Sequence, residues 1–259
     1  MSLKKIWFKK VNIIYIMIIN YKNHKIQIHS NIESKFLGKR CKAYENDEPF
    51  TIKWLESLSD NSILYDIGSN IGGFSFIATK IHPNIKIYSF EPNITNYYIQ
   101  KNTCLYNNYT NINTLNIALN NENVINKFLM NHEDIAGGGS GTFGYDNKDE
   151  LCQSKYQNPH NTNISYQSNT LALTLDFVIY ELKFPVPNYI KLDVDGNESS
   201  IIKGATNLLK DPKLQEIIIE IDNEIKSCLE IYKILENNGF KIKSSENLGK
   251  NMKMICYSK

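Results

Sequence analysis

A short apolar run followed by a glycine-rich turn constrains the fold of this chain more than any other stretch. Residues 63–65 are typical of a strand buried on both faces, and the run ends abruptly at Asp66. Glycines follow at positions 68, 72 and 73, and from Ile71 onward apolar residues recur at helical spacing. The stretch therefore predicts a strand, a tight turn and a helix. Open parallel sheets use this arrangement to bind adenosine-containing cofactors beyond the carboxyl ends of their strands.

The spacing of the glycines favours one cofactor over another. A dinucleotide fingerprint reads G-x-G-x-x-G, but Asn70 stands where the middle glycine belongs. We therefore expect S-adenosylmethionine, whose zwitterionic methionine end can be held by N–H groups of the loop, by Asn70 and by the carboxylate of Asp66. A nicotinamide-dependent oxidoreductase or epimerase remains one alternative, and a non-catalytic module that binds an adenosyl cofactor remains another.

A second strand, predicted over residues 85–90, ends in Glu91, Pro92 and Asn93. A carboxylate roughly 20 residues beyond the glycine loop is placed to accept hydrogen bonds from both ribose hydroxyls. The loop and the acidic strand end thus supply both halves of a cofactor site. The candidate cofactor-binding residues in these two segments are Asp66, Gly68, Ser69, Asn70, Gly72, Glu91, Pro92 and Asn93.

Further motifs follow along the chain in a definite order. With the two above, they are Asp66-Ile-Gly-Ser-Asn-Ile-Gly-Gly-Phe-Ser, Phe90-Glu-Pro-Asn93, Ala118-Leu119, Ala136-Gly-Gly-Gly-Ser140, Thr174-Leu-Asp176 and Tyr189-Ile-Lys-Leu-Asp-Val-Asp-Gly-Asn-Glu198. This series resembles that of the FkbM-type methyltransferases over residues 44–225. One departure is Asp195, where the family pattern usually has a glutamate, which has a longer reach.

The resemblance implies an α/β fold of the Rossmann-like class I methyltransferase type. Such a fold has a mostly parallel seven-stranded sheet with helices on both faces and an antiparallel last strand. The resemblance also implies S-adenosylmethionine as the cofactor and methyl transfer to a hydroxyl oxygen of a small molecule or sugar. Ala118 is expected beside the adenine, where a small side chain leaves room for the ring, and Asp193 is expected at the same site.

Charged residues follow the strand predicted over residues 189–194. Lys191 and Asp193 lie on one side of this strand because successive side chains alternate. We predict that Asp193 orients or deprotonates the acceptor hydroxyl, with Glu198 and Glu220 as further catalytic candidates. A structural ion pair with Lys191 is the alternative for Asp193, and a favourable charge in the first turn of a helix is the alternative for Glu198.

No metal site is predicted. A metal-assisted variant would place Asp193 beside Asp222 and Asn223, whose oxygen atoms suit magnesium. Nothing in the sequence sets the distances between these residues, and the family resemblance does not require a metal.

The remaining elements are predicted from periodicity and from breaking residues. Strands are expected over residues 25–29, 112–119, 124–131, 164–173, 216–221, 240–242 and 252–257. Helices are expected over residues 48–58, 95–106, 198–209 and 224–238, and a loop is expected between the strand at 25–29 and the first of these helices.

Two segments are predicted to cover the cofactor crevice of the main domain at residues 61–259. Residues 1–60 form an N-terminal extension in which Tyr44 and Glu45 are candidate lid residues, although the extension could equally cover only one sheet edge. Residues 132–163 are too long and polar for an ordinary connection and predict a lid on a flexible glycine hinge. His132 and Ser140 are its candidate acceptor contacts.

The first 19 residues superficially resemble a signal peptide, because lysines at positions 4, 5, 9 and 10 precede the apolar residues 11–19. A transmembrane helix needs about 20 apolar residues, and no cleavage pattern of small residues follows. The β-branched content of the run predicts a buried strand. A membrane-surface anchor or an uncleaved signal is the alternative.

Composition narrows the class of protein further. With 42% hydrophobic residues the 259-residue chain can bury a sizeable core. A net charge of +2 gives no electrostatic argument for binding nucleic acid. Five cysteines without a C-x-x-C pair indicate a reduced chain, so we expect a cytoplasmic enzyme with no stable membrane span, acting on a small-molecule or sugar hydroxyl.

Overall fold

The computed structural model describes residues 14–46, 48–131, 136–138, 141–144, 164–194, 196–224, 226–249 and 251–259. The strands are β1 (Tyr15–Tyr21), β2 (His24–Ser30), β3 (Ile63–Ile67), β4 (Lys86–Phe90), β5 (Ile112–Leu115), β6 (Ala118–Leu119), β7 (Val124–Asn131), β8 (Thr142–Phe143), β9 (Ile164–Leu173), β10 (Tyr189–Leu192), β11 (Glu216–Asp222), β12 (Lys241–Asn247) and β13 (Met252–Ser258). The helices are α1 (Lys35–Asn46), α2 (Pro49–Glu56), α3 (Gly73–Ile81), α4 (Ile94–Tyr106), α5 (Glu198–Lys203) and α6 (Leu229–Asn237).

A seven-stranded sheet with the strand order β5-β4-β3-β10-β11-β13-β12 forms the centre of the molecule. The pairings among β5, β4, β3, β10 and β11 are parallel, and β13 is antiparallel to both of its neighbours. The predicted fold class, a Rossmann-like α/β fold with an antiparallel last strand, is confirmed.

Side chains of the central sheet alternate between two hydrophobic cores. On β11, Ile218 packs in the core that includes α3 and α4, whereas Ile217 and Ile219 pack in the core that includes α5 and α6. Leu64 and Tyr65 of β3 divide between the same two cores. Because helices cover both faces, these strands are mostly apolar, and that is the pattern from which they were predictable.

The parallel register brings the carboxyl ends of three strands to one edge of the sheet. Lys191 on β10 lies opposite Asp66 on β3, and Leu192 lies opposite Ile67. On the other side of β3, Ile67 is paired with Phe90, the last residue of β4. The residues that follow these strands therefore lie together at this edge, where open α/β sheets bind ligands.

The predicted third strand at residues 112–119 is wrong as one continuous strand. The chain leaves the central sheet after β5, where the Asn116 side chain donates hydrogen bonds to the carbonyl oxygens of Glu91 (2.8 Å) and Pro92 (3.1 Å). Ala118 and Leu119 then form β6 in a second sheet with the order β6-β9-β7-β8. Ala118 thus belongs to this second sheet, paired with Ala172.

The N-terminal segment contains more structure than the sequence analysis predicts. β1 and β2 form an antiparallel hairpin, which confirms a strand in the described part of residues 11–19, although Ile16 and Ile18 are exposed. The loop expected before α2 is wrong, because α1 lies there. The Ser34 hydroxyl accepts a hydrogen bond from the N–H of Phe36 at the start of this helix.

Two predicted helices are shorter than expected. The helix predicted at residues 198–209 ends at Lys203, and a 3-10 turn at Leu208–Lys210 follows. Gly204 ends it where a side chain would overlap the backbone of Asn120. The helix predicted at residues 224–238 begins only at Leu229, after a 3-10 turn at Lys226–Cys228. Within the described residues, no helix is long and apolar enough to cross a membrane.

Candidate functional site

A cleft with an empty volume of about 920 Å³ opens at the carboxyl edge of the central sheet. Its walls come from the glycine loop after β3, from the residues after β4 and β10, from the second sheet and from α1. The predicted residues that line it are Gly68, Ser69, Asn70, Glu91, Pro92, Asn93, Ala118 and Asp193. The structure therefore brings together eight candidates from four separate parts of the chain.

The glycine loop contacts the end of β10 directly. Gly68 has a φ of +74°, and the carbonyl oxygen of Asp193 occupies the place that a Cβ atom on Gly68 would need. Asn70 is also in the left-handed region, at a φ of 52°. Gly72 does not line the cleft, and a side chain there would meet Gln100. The loop thus owes its shape both to backbone conformations that favour glycine and to close packing.

Glu91 lies at the base of the cleft with both of its carboxylate oxygens held. Oε2 accepts a hydrogen bond from the N–H of Asn70 at 2.7 Å, and Oε1 accepts one from the N–H of Asn93 at 2.9 Å. Burial raises the pKa of Glu91 to about 7, although the N–H groups of Asn93 and Asn70 act in the opposite direction. The Asn96 side chain also bonds to this carboxylate, which retains capacity to accept a hydrogen bond from a ligand hydroxyl.

Asp66 lies behind the loop and does not line the cleft. Its Oδ2 atom accepts a hydrogen bond from the Ser75 hydroxyl at 2.6 Å, and its Oδ1 atom lies 4.0 Å from Lys191 Nζ. Burial raises the pKa of Asp66, while Lys191 offsets part of that rise. In this position Asp66 on β3 contacts α3 through Ser75 and β10 through Lys191.

Lys191 and Asp193 form a close ion pair beside the cleft. Lys191 Nζ lies 3.0 Å from Asp193 Oδ2 and 5.0 Å from the centre of the Phe74 ring. Lys191 is buried, and burial alone would lower its pKa, but Asp193, Asp66 and Glu48 together raise it. Burial alone would raise the pKa of Asp193, but Lys191 and then Arg40 hold it below its ordinary value. Both groups are therefore charged at neutral pH.

Two further glutamates contact or approach Asp193. The side chains of Glu220 and Asp193 are hydrogen-bonded, although Glu220 itself does not line the cleft. Glu48 lines the cleft at the start of α2, and its Oε2 atom accepts a hydrogen bond from the Thr51 hydroxyl at 3.2 Å. Burial, followed by the nearby charge of Asp193, raises the pKa of Glu48.

Glu198 holds the loop after β10 and does not line the cleft. Its Oε1 atom accepts hydrogen bonds from the N–H groups of Val194 (3.1 Å) and Gly196 (3.2 Å). Burial raises its pKa to about 7, against the effect of these backbone donors. This geometry suits a carboxylate that positions the segment carrying Asp193.

The opposite end of the cleft is apolar. Ala118, Leu119 and two rings of the second sheet, Phe128 and Phe143, line it together with Pro92. Asn197 closes this end, and its side chain donates a hydrogen bond to the carbonyl oxygen of Leu119 at 3.2 Å. The cleft thus has an apolar end, a buried carboxylate and a charged end.

These features fit S-adenosylmethionine. The apolar end matches an adenine ring, the Glu91 carboxylate matches a ribose diol, and the charged end matches a zwitterionic amino acid. Glu91, the glycine loop and Ala118 are the residues that would hold the cofactor.

The sequence analysis assigned no role to Arg40 or Glu48, whose side chains line the cleft. The predicted lid residue Tyr44 is buried, and its ring contacts Phe74 at 4.9 Å and fills the space beside Gly73. The heptad-like spacing of Leu37, Cys41 and Tyr44, which are all buried in α1, was the signal that could have revealed this helix.

Other predicted residues lie outside the described part of the chain or serve local structure. Asp195, His132 and Ser140 are not described, and neither is the side chain of Glu45. Asp222 and Asn223 bond to nearby groups, Glu224 N–H and Tyr232 Oη respectively. Among the described residues, no group of three or more histidine, cysteine, aspartate or glutamate side chains could hold a metal ion.

The first part of the glycine run is hydrogen-bonded to side chains around the cleft. Residues 136–138 are buried, and the Gly138 carbonyl oxygen accepts hydrogen bonds from the side chains of Asn70 (2.8 Å) and Asn96 (3.3 Å). Asn96 also accepts a hydrogen bond from the N–H of Gly137 at 2.8 Å. Gly138 therefore lines the cleft, and the predicted lid on a glycine hinge stays a prediction.

Residues 66–242 match the family described as the Methyltransferase FkbM domain. No curated protein sequence matches the chain.

Similar solved structures include a precorrin-6y C5,15-methyltransferase from Geobacter metallireducens, with 12% identity over 88% of this chain and 92% of that one and a TM-score of 0.47. A magnesium protoporphyrin IX methyltransferase from Synechocystis with bound S-adenosylmethionine has 11% identity over 88% and 86% of the two chains and a TM-score of 0.48. A methyltransferase from Aquifex aeolicus that depends on the same compound has 12% identity over 85% and 96% and a TM-score of 0.46.

Proposed function

The chain belongs to the FkbM methyltransferase family, whose cofactor is S-adenosylmethionine, and we propose that it transfers a methyl group to a hydroxyl oxygen of a small molecule or sugar. The observation that carries the proposal is the Asp193 carboxylate at the charged end of the cleft, opposite the apolar end and beside the glycine loop. A carboxylate there can accept a hydrogen bond from an acceptor hydroxyl. Membership of this family favours methyl transfer over the nicotinamide-dependent alternative.

In this proposal the chain holds the cofactor in three places. Glu91 accepts hydrogen bonds from the ribose hydroxyls, and Ala118 with its apolar neighbours encloses the adenine. The backbone of the glycine loop lies against the methionine end of the cofactor. When bound, S-adenosylmethionine supplies an electrophilic methyl group. Most of the rate enhancement then comes from aligning the acceptor oxygen with that group.

Asp193 orients the acceptor hydroxyl and receives its proton directly or through water. The close ion pair with Lys191 supports the orienting role, because it keeps the carboxylate charged and fixes its orientation. A positioned base of this kind contributes about 10²- to 10⁴-fold to a rate. Glu220, which hydrogen-bonds Asp193, and Glu198, which holds the adjoining loop, are assigned supporting roles.

Several features support an oxygen acceptor of small size. The segment after β10 reads Asp193-Val194-Asp195 and lacks the Asn/Asp-Pro-Pro-aromatic motif with which base methyltransferases hold an amine. A net charge of +2 gives little attraction to nucleic acid.

Residues 132–163 are proposed to cover the acceptor, as an insertion in the domain at residues 61–259. The segment at residues 1–60 is proposed to form the opposite wall.

A cytoplasmic location is part of the proposal. Cys41, Cys104, Cys228 and Cys256 are buried free thiols, which is the state that a reducing compartment maintains.

Two experiments test the proposal in sequence. S-adenosylhomocysteine at about 100 times its Kd should raise the melting temperature by about 5–10 °C, whereas NAD should not. Radiolabelled S-adenosylmethionine incubated with small-molecule extracts should then yield a labelled product whose methyl group is on oxygen. A melting temperature that responds to NAD alone would contradict the proposal. Binding of S-adenosylhomocysteine without transfer to any acceptor would identify a non-catalytic module instead.

A further inference from the structure

Arg40 is the only arginine in the chain, among 29 lysine and arginine residues in total. It lies on α1, before the residues that match the family, and its half-buried side chain lines the cleft. Arg40 Nε donates a hydrogen bond to the carbonyl oxygen of Gly137 at 3.1 Å. The single guanidinium of the protein is therefore fixed at the charged end of the site, across from the glycine loop.

The methionine end of S-adenosylmethionine carries a carboxylate that needs a partner in this cleft. The side chains that the sequence analysis assigns to this end are engaged elsewhere. Asn70 Nδ2 donates to the Gly138 carbonyl oxygen, and Asn70 Oδ1 accepts from the N–H of Ile71, both at 2.8 Å. Asp66 lies behind the loop, does not line the cleft and carries the wrong charge.

Arg40 has the chemistry and the support that a carboxylate partner requires. A guanidinium presents N–H groups in a planar fork that matches the two oxygens of a carboxylate. Tyr44 lies one turn further along α1, and its ring fills the space beside Gly73 at the start of α3. Leu37, on the same helix, packs against Gly137. These contacts fix α1 against both the glycine loop and the segment that Arg40 bonds.

A second role for Arg40 must be distinguished from this one. Its positive charge also acts on Asp193 and Glu48, the acidic side chains of the same cleft, so Arg40 could serve only as their counter-ion. A counter-ion would stabilise the site for every ligand alike. A carboxylate partner would affect only ligands that carry the carboxylate.

We propose that Arg40 binds the carboxylate of the methionine end of S-adenosylmethionine, so that the segment preceding the family domain completes the cofactor site. The inference rests on the proposed function, in which this cleft holds the cofactor with its ribose on Glu91. It assigns the N-terminal helix a direct part in cofactor selection.

Decarboxylated S-adenosylmethionine provides the test, because it differs from the cofactor only by the missing carboxylate. Calorimetry would measure the Kd of both compounds for the wild type and for Arg40→Gln. The ratio of the two Kd values should change by about 10- to 100-fold in favour of the decarboxylated compound, since one charge-assisted contact is removed. The affinity for the decarboxylated compound itself should change by less than about threefold.

Ser34→Ala is the matched control, because the Ser34 hydroxyl donates a hydrogen bond to the Ala136 carbonyl oxygen at 2.9 Å and thus holds the same glycine segment without charge. It should leave the ratio unchanged. If Arg40→Gln fails to fold, Arg40→Met, which keeps the apolar stem, measures the same ratio.

The two possible failures give different results. If Arg40→Gln lowered the affinity for both compounds equally, the inference would be overturned and Arg40 would be identified as a counter-ion. A change of the ratio in Ser34→Ala as large as that in Arg40→Gln would also overturn it. Failure of the wild type to bind either compound would instead contradict the proposed function.

Discussion

The carbonyl oxygen of Asp193 occupies the place that a Cβ atom on Gly68 would need. This contact joins the glycine loop after β3 to the end of β10, and it sets the distance between the cofactor loop and the proposed acceptor residue. A side chain at position 68 would have to push the two segments apart. The positive φ of Gly68 adds a separate conformational cost for any other residue.

Gly68→Ala should therefore destabilise the protein by about 2 to 4 kcal/mol, combining left-handed strain with the displacement of β10. Gly239→Ala is the matched control, because Gly239 has a φ of +86° but a Cβ atom there would have open space within 4 Å. The control should cost only about 1 to 2 kcal/mol. Chemical denaturation of both variants measures the difference, and equal losses would show that the contact with Asp193 has no energetic effect.

Asp193→Asn should reduce methyl transfer by about 10²-fold or more per folded molecule while cofactor affinity changes little. The variant keeps the shape of the side chain and removes its charge. It should also lower stability by about 1 to 3 kcal/mol, because the buried Lys191 loses its nearest counter-ion. Single-turnover transfer to the identified acceptor separates the two effects.

Glu198→Gln serves as the comparison for that experiment, since Glu198 bonds backbone N–H groups and does not line the cleft. Its effect on the rate per folded molecule should be much smaller. A near-normal rate in Asp193→Asn would reduce Asp193 to a structural partner of Lys191.

Affinity for S-adenosylhomocysteine should rise as the pH increases through about 7. Burial raises the pKa of Glu91 from 4.5 to about 7, and only the ionised carboxylate can accept from both ribose hydroxyls. Because the folded pKa lies above the unfolded one, Glu91 contributes stability at low pH that is lost between about 4.5 and 7. Glu91→Gln should bind more weakly at pH 8 and show less dependence on pH. The pKa of Glu198 is also raised to about 7, in the wild type and in Glu91→Gln alike. Any pH dependence of affinity that Glu198 causes therefore cancels when the two proteins are compared.

Shortening the segment between residues 146 and 161 should impair acceptor use more than cofactor binding. The length and polarity of residues 132–163 motivate this prediction, and most of that segment lies outside the described residues. Calorimetry with S-adenosylhomocysteine and methyl transfer on the same variant provide the two readouts. Loss of both activities together with cooperative unfolding would indicate that the segment stabilises the domain.

Much of the central fold was predictable because local pattern and burial agree there. β3, β4, β10 and β11 are mostly apolar strands with polar residues at or just after their carboxyl ends, so both their positions and their common edge follow from the sequence. The strand after α4 was not predictable in detail. Its division at Asn116 depends on hydrogen bonds to the carbonyl oxygens of Glu91 and Pro92, which are distant in sequence.

The positions of the site residues were predictable from local pattern where those residues follow strands of the central sheet, whereas Ala118 of the second sheet was expected there from the family resemblance. Gly68, Glu91 and Asp193 belong to the first group. Arg40 and Glu48 reach the cleft through the packing of α1 and α2, which no local pattern describes. Asn70 illustrates the same limit, because its side chain bonds to Gly138, 68 residues away, and so lies in the cleft wall with its amide group already paired.

Titration of S-adenosylhomocysteine into the wild type and into Glu91→Ala tests the central claim most directly, namely that this cleft holds the cofactor with its ribose on Glu91. The account predicts binding to the wild type and a loss of about 1 to 3 kcal/mol in the variant, because the ribose hydroxyls lose their paired acceptor. Circular dichroism would verify that the variant is folded. Unchanged affinity in a folded Glu91→Ala protein would contradict the account.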